Sequence, residues 1–218
     1  MRVRLREFDA ARFSLREDPV LVLEEFWSQE EMAGFRAAMQ AAQWTARDEM
    51  PDTRRTFSEC GNWRKADIVE PQRGALVERV LLPFVAEFVD SFEGVIGRVM
   101  NFNYFNYASG DCLSLHTDER SERLDDPRRE SITRRVALAT YVHDSWDVNW
   151  GGELILYDKK ASGGQDEAYD ITNCISPEPG SLVLFTVPRH HRVCRVDPLA
   201  GDNKRLSIAG WFMTDHGE

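Results

Sequence analysis

With 218 residues, 42% of them hydrophobic, the chain has the length and the apolar content of one domain with a sizeable core. Its 27 Lys and Arg against 37 Asp and Glu leave a net charge of −10, which argues against binding a nucleic-acid backbone as its main task. No apolar run approaches the roughly 18 residues of a transmembrane helix, and the opening stretch MRVRLREFDAARF lacks the apolar segment of a signal peptide. The expectation is a soluble, cytoplasmic protein with neither a membrane nor a nucleic-acid partner. Cys60, Cys112, Cys174 and Cys194 show no CxxC spacing, so they read as free and mostly buried thiols.

In chain order, the apolar run Val20 to Leu23 predicts a short strand. Ser28-Gln-Glu-Glu31 has capping-box form and opens an amphipathic helix carrying Met32, Phe35, Met39 and Trp44. A second helical stretch runs from Gly74 to Phe92, with Val77, Val80, Leu81, Phe84, Val85 and Phe88 on its apolar face. Pro83 inside it predicts a kink or two abutting helices. Residues 1–97 are therefore expected to be a helical region that braces the rest.

From Arg98 the texture changes to short runs rich in aromatic and β-branched residues. Strands are predicted at 98–107, 113–116, 135–143, 153–157, 170–175, 181–186, 191–196 and 205–213, with turn signals between them. That pattern suggests a sandwich or barrel. The connection 118–134 is too long and too charged for a hairpin turn, which leaves a lid over a site or a solvated loop.

Two places carry chemistry. His116 and Asp118 are two residues apart in LSLHTDE, so on a strand both project to one face and can reach one metal ion. His216 and Glu218 repeat the spacing in what reads as a terminal tail. Farther on, SLVLFTVPRHHRVCRV reads as a buried strand, a proline turn and a second strand. His190 and His191 are neighbours facing opposite ways, so at most one of them is a ligand. Arg205 opens RLSIAGWF, a strand that otherwise reads as core, and a cation there needs a buried anionic partner. A dicarboxylate ligand would supply one in bidentate geometry.

The ordered blocks resemble a known family. They are Tyr107 with Gly110 and His116-Thr-Asp118, then Arg134 through Tyr141-Val-His-Asp-Ser-Trp-Asp147, then Gly151-Gly-Glu-Leu154. Pro179-Gly-Ser-Leu-Val-Leu-Phe185, His191-Arg-Val193 and Arg205-Leu-Ser-Ile-Ala-Gly-Trp211 complete them. The stretch from Met100 to Phe212 is similar to the Fe(II)- and 2-oxoglutarate-dependent oxygenases, in their prolyl-4-hydroxylase-like branch, with DPLAGDNK as an insertion before Arg205.

The resemblance implies one domain over 1–218, mainly β with N-terminal helices, whose core at 98–213 is a double-stranded β-helix of the jelly-roll, cupin-like kind. It implies His116, Asp118 and His191 as the ligands of Fe(II). It places Arg205 and Tyr141 on the C5 carboxylate of 2-oxoglutarate, and Tyr107 near the C1 end. Arg134 and Trp211 would lie toward substrate, and Val193 beside the metal. The implied reaction uses dioxygen, with ascorbate as a supporting reductant, to hydroxylate an unactivated C–H of a prolyl residue in a protein or peptide. A free amino acid or a carrier-bound metabolite is the alternative substrate, and a non-catalytic jelly-roll binding module is the alternative class. His143 reads as a strand-end histidine, and Trp146 and Trp150 as packing groups.

Overall fold

The computed structural model describes residues 1–119, 121–122, 132–160 and 167–214. The near-continuous apolar runs in the sequence become strands buried on both faces. Strand β2 (Val20–Glu24) follows β1 (Arg2–Arg4), and β3 (Thr45–Ala46) and β4 (Arg64–Asp67) come later in the N-terminal region. Then come β5 (Val95–Tyr107), β6 (Leu113–His116), β7 (Ser121–Glu122), β8 (Ile132–Tyr141), β9 (Leu154–Lys159) and β10 (Tyr169–Ile175). Strands β11 (Leu182–Thr186), β12 (His190–Val193) and β13 (Arg205–Thr214) complete the set.

They form two sheets. The larger runs β1-β2-β11-β8-β13-β5-β4-β3, with β7 also on β8, and the smaller runs β10-β9-β12-β6. This is the expected double-stranded β-helix.

Alternation decides which residues face which layer. Leu21, Leu23, Leu182, Leu184, Val136, Leu138, Ile208 and Phe212 point to the helical side of the larger sheet. Their neighbours Val20, Val22, Val183, Phe185, Ala137 and Tyr141 point between the sheets, where they meet Leu154, Leu156 and Ile175. A strand sandwiched in this way has no polar face to show, which is why LVLF reads as an unbroken run.

The helical layer follows the sequence closely. Helix α1 (Gln29–Ala41) starts in the Ser28–Glu31 capping box and buries Met32, Phe35 and Met39. Trp44 lies beyond its end, and its Nε1 donates to the Met39 carbonyl at 3.0 Å. The short helix α2 (Pro51–Thr56) precedes β4. Helices α3 (Gln72–Val80) and α4 (Pro83–Asp90) abut at Pro83, because proline suits a first turn but not a helix interior.

Three expectations change. Residues 1–97 supply β1 to β4 of the larger sheet as well as helices; segments as short and polar as RVR and RKAD carry no strand-like apolar alternation. The thiols are not mostly buried. Cys60 is buried, Cys112 and Cys194 are half-buried, and Cys174 is exposed because β10 is the outer strand of the smaller sheet. The strand expected at 191–196 ends at Val193, beyond which Val196 makes an isolated bridge to Gly151. Most of the charged connection 118–134, for which a lid and a solvated loop were both open, and the His216–Glu218 tail lie outside the described residues. Among the described residues no helix is long and apolar enough to cross a membrane.

Candidate metal centre and co-substrate cavity

The smaller sheet brings two histidines together. Strands β6 and β12 pair so that His116 and His191 stand directly opposite each other, with ring centroids 4.2 Å apart. Asp118, two residues beyond His116, turns its carboxylate between them. Its Oδ1 is 3.5 Å from His116 Nε2 and its Oδ2 is 3.3 Å from His191 Nε2. One donor atom from each residue lies within 4.8 Å of the other two.

Each imidazole is oriented by its own strand. His116 Nδ1 is 2.7 Å from the Ser114 carbonyl, and His191 Nδ1 is 2.9 Å from the Arg189 carbonyl. A carbonyl can only accept, so Nδ1 carries the hydrogen and Nε2 keeps its lone pair for a metal. Phe57 stands edge-on to His116 and Phe185 edge-on to His191, closing off other ring orientations. His190 points to the other face, where its Nε2 lies 3.3 Å from the Tyr169 hydroxyl.

Burial opposes charge on Asp118, but the hydrogen bonds and charges of His116 and His191 outweigh it and hold the carboxyl well below the usual range. Burial likewise works against a charged His191, and Asp118 reverses the sign, leaving its pKa raised. Two imidazole nitrogens and one carboxylate oxygen on one face fit Fe(II), leaving three of six positions open.

Across the interior, the larger sheet contributes the cation. Arg205 is 3% exposed, and no carboxylate among the described residues lies within ion-pair distance of it. Its Nε donates to the Gly152 carbonyl at 2.7 Å and Nη1 to Ser207 Oγ at 3.3 Å. The guanidinium lies 4.9 Å from the Tyr141 ring and 5.3 Å from the Tyr107 ring. The Tyr141 hydroxyl is buried and, among the described residues, makes no hydrogen bond of normal geometry. Burial pushes its pKa up despite the nearby Arg205 charge, so it remains an O–H donor.

An isolated buried cation beside an unsatisfied donor is costly unless an anion joins them, and a dicarboxylate fits that demand. Tyr107 is the cross-strand partner of Arg205. That register sets its ring beside Arg205 in the cavity.

His116, Asp118, His191 and Arg205 all line one cavity of about 360 Å³, together with Tyr107, Arg134, Val193 and Trp211. Its opposite wall comes from Met50, Phe57, Trp63 and Lys65 of the N-terminal region. Asp111 docks that wall onto the turn between β5 and β6, accepting from Asn62 N at 2.7 Å and Ala108 N at 2.8 Å.

The insertion before Arg205 forms a short turn capped by Asp197. It sends Ala200 into the cluster with Trp63 and Tyr107. Trp211 does more than wall the cavity, since its Nε1 donates to Asp118 Oδ2 at 2.9 Å. Arg134 stacks on the same indole, 3.6 Å from the ring centroid. His143, just past the end of β8, is buried between the Pro177 and Leu206 carbonyls. Trp146 and Trp150 pack edge to face.

Gly152 and Ser207 are functional neighbours that the sequence reading did not single out. A Cβ on Gly152, whose φ is +74°, would come 2.9 Å from Arg205 Cδ, so the second glycine of the pair is what lets Arg205 lie against the backbone. Ser207 was available from strand alternation, being two residues past Arg205. The wall from Met50 to Lys65 had no comparable signal, because long-range pairing brings it there.

Residues 102–213 match the model of the 2OG-Fe(II) oxygenase superfamily, 2OG being 2-oxoglutarate. A curated relative is the mouse (Mus musculus) prolyl 3-hydroxylase OGFOD1, 33% identical over 146 residues. Those residues are 66% of this chain but 24% of the relative, so the match spans about a quarter of that protein's length.

Among solved structures, a Pseudomonas putida prolyl-4-hydroxylase superposes with a TM-score of 0.60 at 20% identity, covering 93% of this chain and 96% of that one. A Trichoplax adhaerens prolyl hydroxylase in complex with a hypoxia inducible factor peptide gives 0.64 at 16% identity, covering 92% and 86%. These two show the shared fold. With the family match extending over just the strands that carry the two histidines, the aspartate and the buried arginine, the chain belongs to the 2OG-Fe(II) oxygenase superfamily, dioxygenases that use Fe(II), 2-oxoglutarate and O2.

Proposed function

We propose that this chain hydroxylates an unactivated C–H of a prolyl residue in a protein or peptide, with His116, Asp118 and His191 holding Fe(II). Arg205 and Tyr141 would hold the C5 carboxylate of 2-oxoglutarate. The carrying observation is the buried guanidinium, with no carboxylate partner among the described residues, sharing one cavity with the His-Asp-His cluster. When bound, iron and 2-oxoglutarate supply dioxygen activation coupled to decarboxylation, with succinate as the co-product.

The chain's own contribution is positioning and exclusion of water. Nδ1 of each histidine is committed to a carbonyl, so both rings present Nε2. Arg205 is held by Gly152 and Ser207 while its charge faces the cavity, and Tyr107 packs against it. Ala137, Ala139, Ala209 and Gly210 keep the floor of the cavity shallow, leaving room above the sheet. Met50, Phe57, Trp63 and Leu113 make its wall apolar, which keeps the reacting carbon away from bulk water.

Support for a prolyl substrate comes from the mouse relative, a prolyl 3-hydroxylase by name, and from the prolyl hydroxylases that share the fold. The test is incubation with Fe(II), 2-oxoglutarate and a library of proline-containing peptides. Succinate release and mass spectrometry of the peptides are followed together, with free amino acids in parallel. Succinate formation matched by one added oxygen on proline is the expected result. Oxygen appearing on a free amino acid alone would refute the peptidyl assignment.

A further inference from the structure

Trp211 and Asp118 belong to different layers of the fold. Trp211 sits on β13 of the larger sheet, whereas Asp118 follows β6 of the smaller one. Their hydrogen bond, Nε1 to Oδ2 at 2.9 Å, therefore ties Asp118 to the opposite sheet. The indole cannot easily turn away, because the Arg134 guanidinium lies 3.6 Å from its ring centroid. A cation on the π-face also draws electron density from the ring and makes its N–H a better donor. The Asp118 side chain is 14% exposed, so water competes little for the same oxygen.

The two oxygens of Asp118 are thus in different situations. Oδ2 accepts the indole N–H at 2.9 Å and also has His191 Nε2 beside it at 3.3 Å, while Oδ1 has only His116 Nε2, at 3.5 Å, among these partners. A carboxylate with both oxygens at liberty can grip an ion through both. In a six-coordinate site that would take one of the three positions a His-Asp-His set leaves open. A two-point co-substrate and dioxygen together need all three.

We propose that Trp211 is a positioning residue for the metal centre. Its N–H reserves Oδ2, so that Asp118 presents Oδ1 alone to the ion. This inference rests on reading His116, Asp118 and His191 as the iron ligands. It assigns to Trp211 a task distinct from contact with substrate.

The test replaces the N–H without replacing the ring. Site-specific substitution of Trp211 by 3-benzothienylalanine puts sulfur where the N–H stands and keeps the bicyclic shape under Arg134. Trp211→Phe is the genetically simpler companion. Mn(II) affinity is measured by electron paramagnetic resonance of the free ion, and Co(II) coordination by visible absorption with and without 2-oxoglutarate. Melting of the metal-free protein reports the fold separately.

Release of Oδ2 is expected to change the Co(II) spectrum and to shift Mn(II) affinity by about tenfold or more, as loss of an outer partner of a metal ligand does. The metal-free isostere should fold as the parent does. Equal Mn(II) affinity and an unchanged Co(II) spectrum in the isostere would overturn the role of Trp211 while leaving the ligand assignment standing. Failure of the unsubstituted protein to bind either ion would overturn the ligand assignment and this inference with it.

Discussion

Replacing Arg205 by methionine keeps a flexible buried stem and removes the charge, which separates binding from stability. Truncating one partner of a desolvated charge pair costs about 2–5 kcal/mol. At about 1.4 kcal/mol per tenfold, the Kd for 2-oxoglutarate should rise roughly 30- to 4,000-fold. Stability should respond differently. The Nε bond to the Gly152 carbonyl and the Nη1 bond to Ser207 are lost, each worth on the order of 1 kcal/mol, but so is a guanidinium buried without a counter-charge among the described residues.

The two effects oppose each other, so the protein without 2-oxoglutarate should melt at or slightly above the parental temperature. The stabilisation that 2-oxoglutarate gives the parent should disappear in the variant. Calorimetric titration of Mn(II)-loaded protein, paired with thermal melts with and without 2-oxoglutarate, reads both quantities. Binding within threefold of the parent would refute the anchoring role. A fall of many degrees without 2-oxoglutarate would show that Arg205 is mainly a structural group.

Tyr141→Phe should weaken 2-oxoglutarate about 10- to 100-fold in the same titration, through loss of a hydrogen bond to a charged group. It should leave the protein without 2-oxoglutarate no less stable, because the hydroxyl it removes makes no hydrogen bond of normal geometry among the described residues. His191→Ala should abolish Mn(II) binding in an equilibrium dialysis that His190→Ala leaves unchanged, since only His191 faces Asp118. Burial pushes the His143 pKa down to about 4 from 6.5, with the nearby Arg205 and Arg36 charges helping and its carbonyl contacts opposing. Between those values the unfolded chain takes up a proton that the folded chain refuses. Stability should therefore fall by up to about 3 kcal/mol as pH drops from about 6.5 toward 4. Denaturant midpoints for His143→Gln should be flatter over that range, and an identical acid limb would contradict this.

Much of the architecture was legible because local and long-range signals agreed. Ser28 with Glu31 marked a helix start, Pro83 marked a break, and unbroken apolar runs marked strands covered on both sides. Arg205 was legible as an anomaly, a cation leading a strand of core residues. The indole bond to Asp118 was not, because it joins residues 93 positions apart on different sheets. The wall from Met50 to Lys65 was equally hidden. Strand β4 is four residues long and polar, and its place is set by pairing with β5, which no local pattern records. Tyr107 illustrates a third kind of difficulty. Its residue type and rough position could be read, but which end of the cavity it serves depends on strand register.

The histidines and Asp118 belong to the smaller sheet and Arg205 to the larger, so on the proposed assignment the co-substrate is gripped by two separate bodies. Packed sheets hold a separation of about 10 Å that side-chain interdigitation makes stiff. The gap then works as a gauge for chain length. A 2-oxo diacid one methylene shorter than 2-oxoglutarate can satisfy the metal or the arginine but not both without strain, and one a methylene longer must buckle to fit. Discrimination among such homologues would come from the thickness of the sandwich itself, and volume changes at inter-sheet positions such as Val183 or Ile175 would retune it.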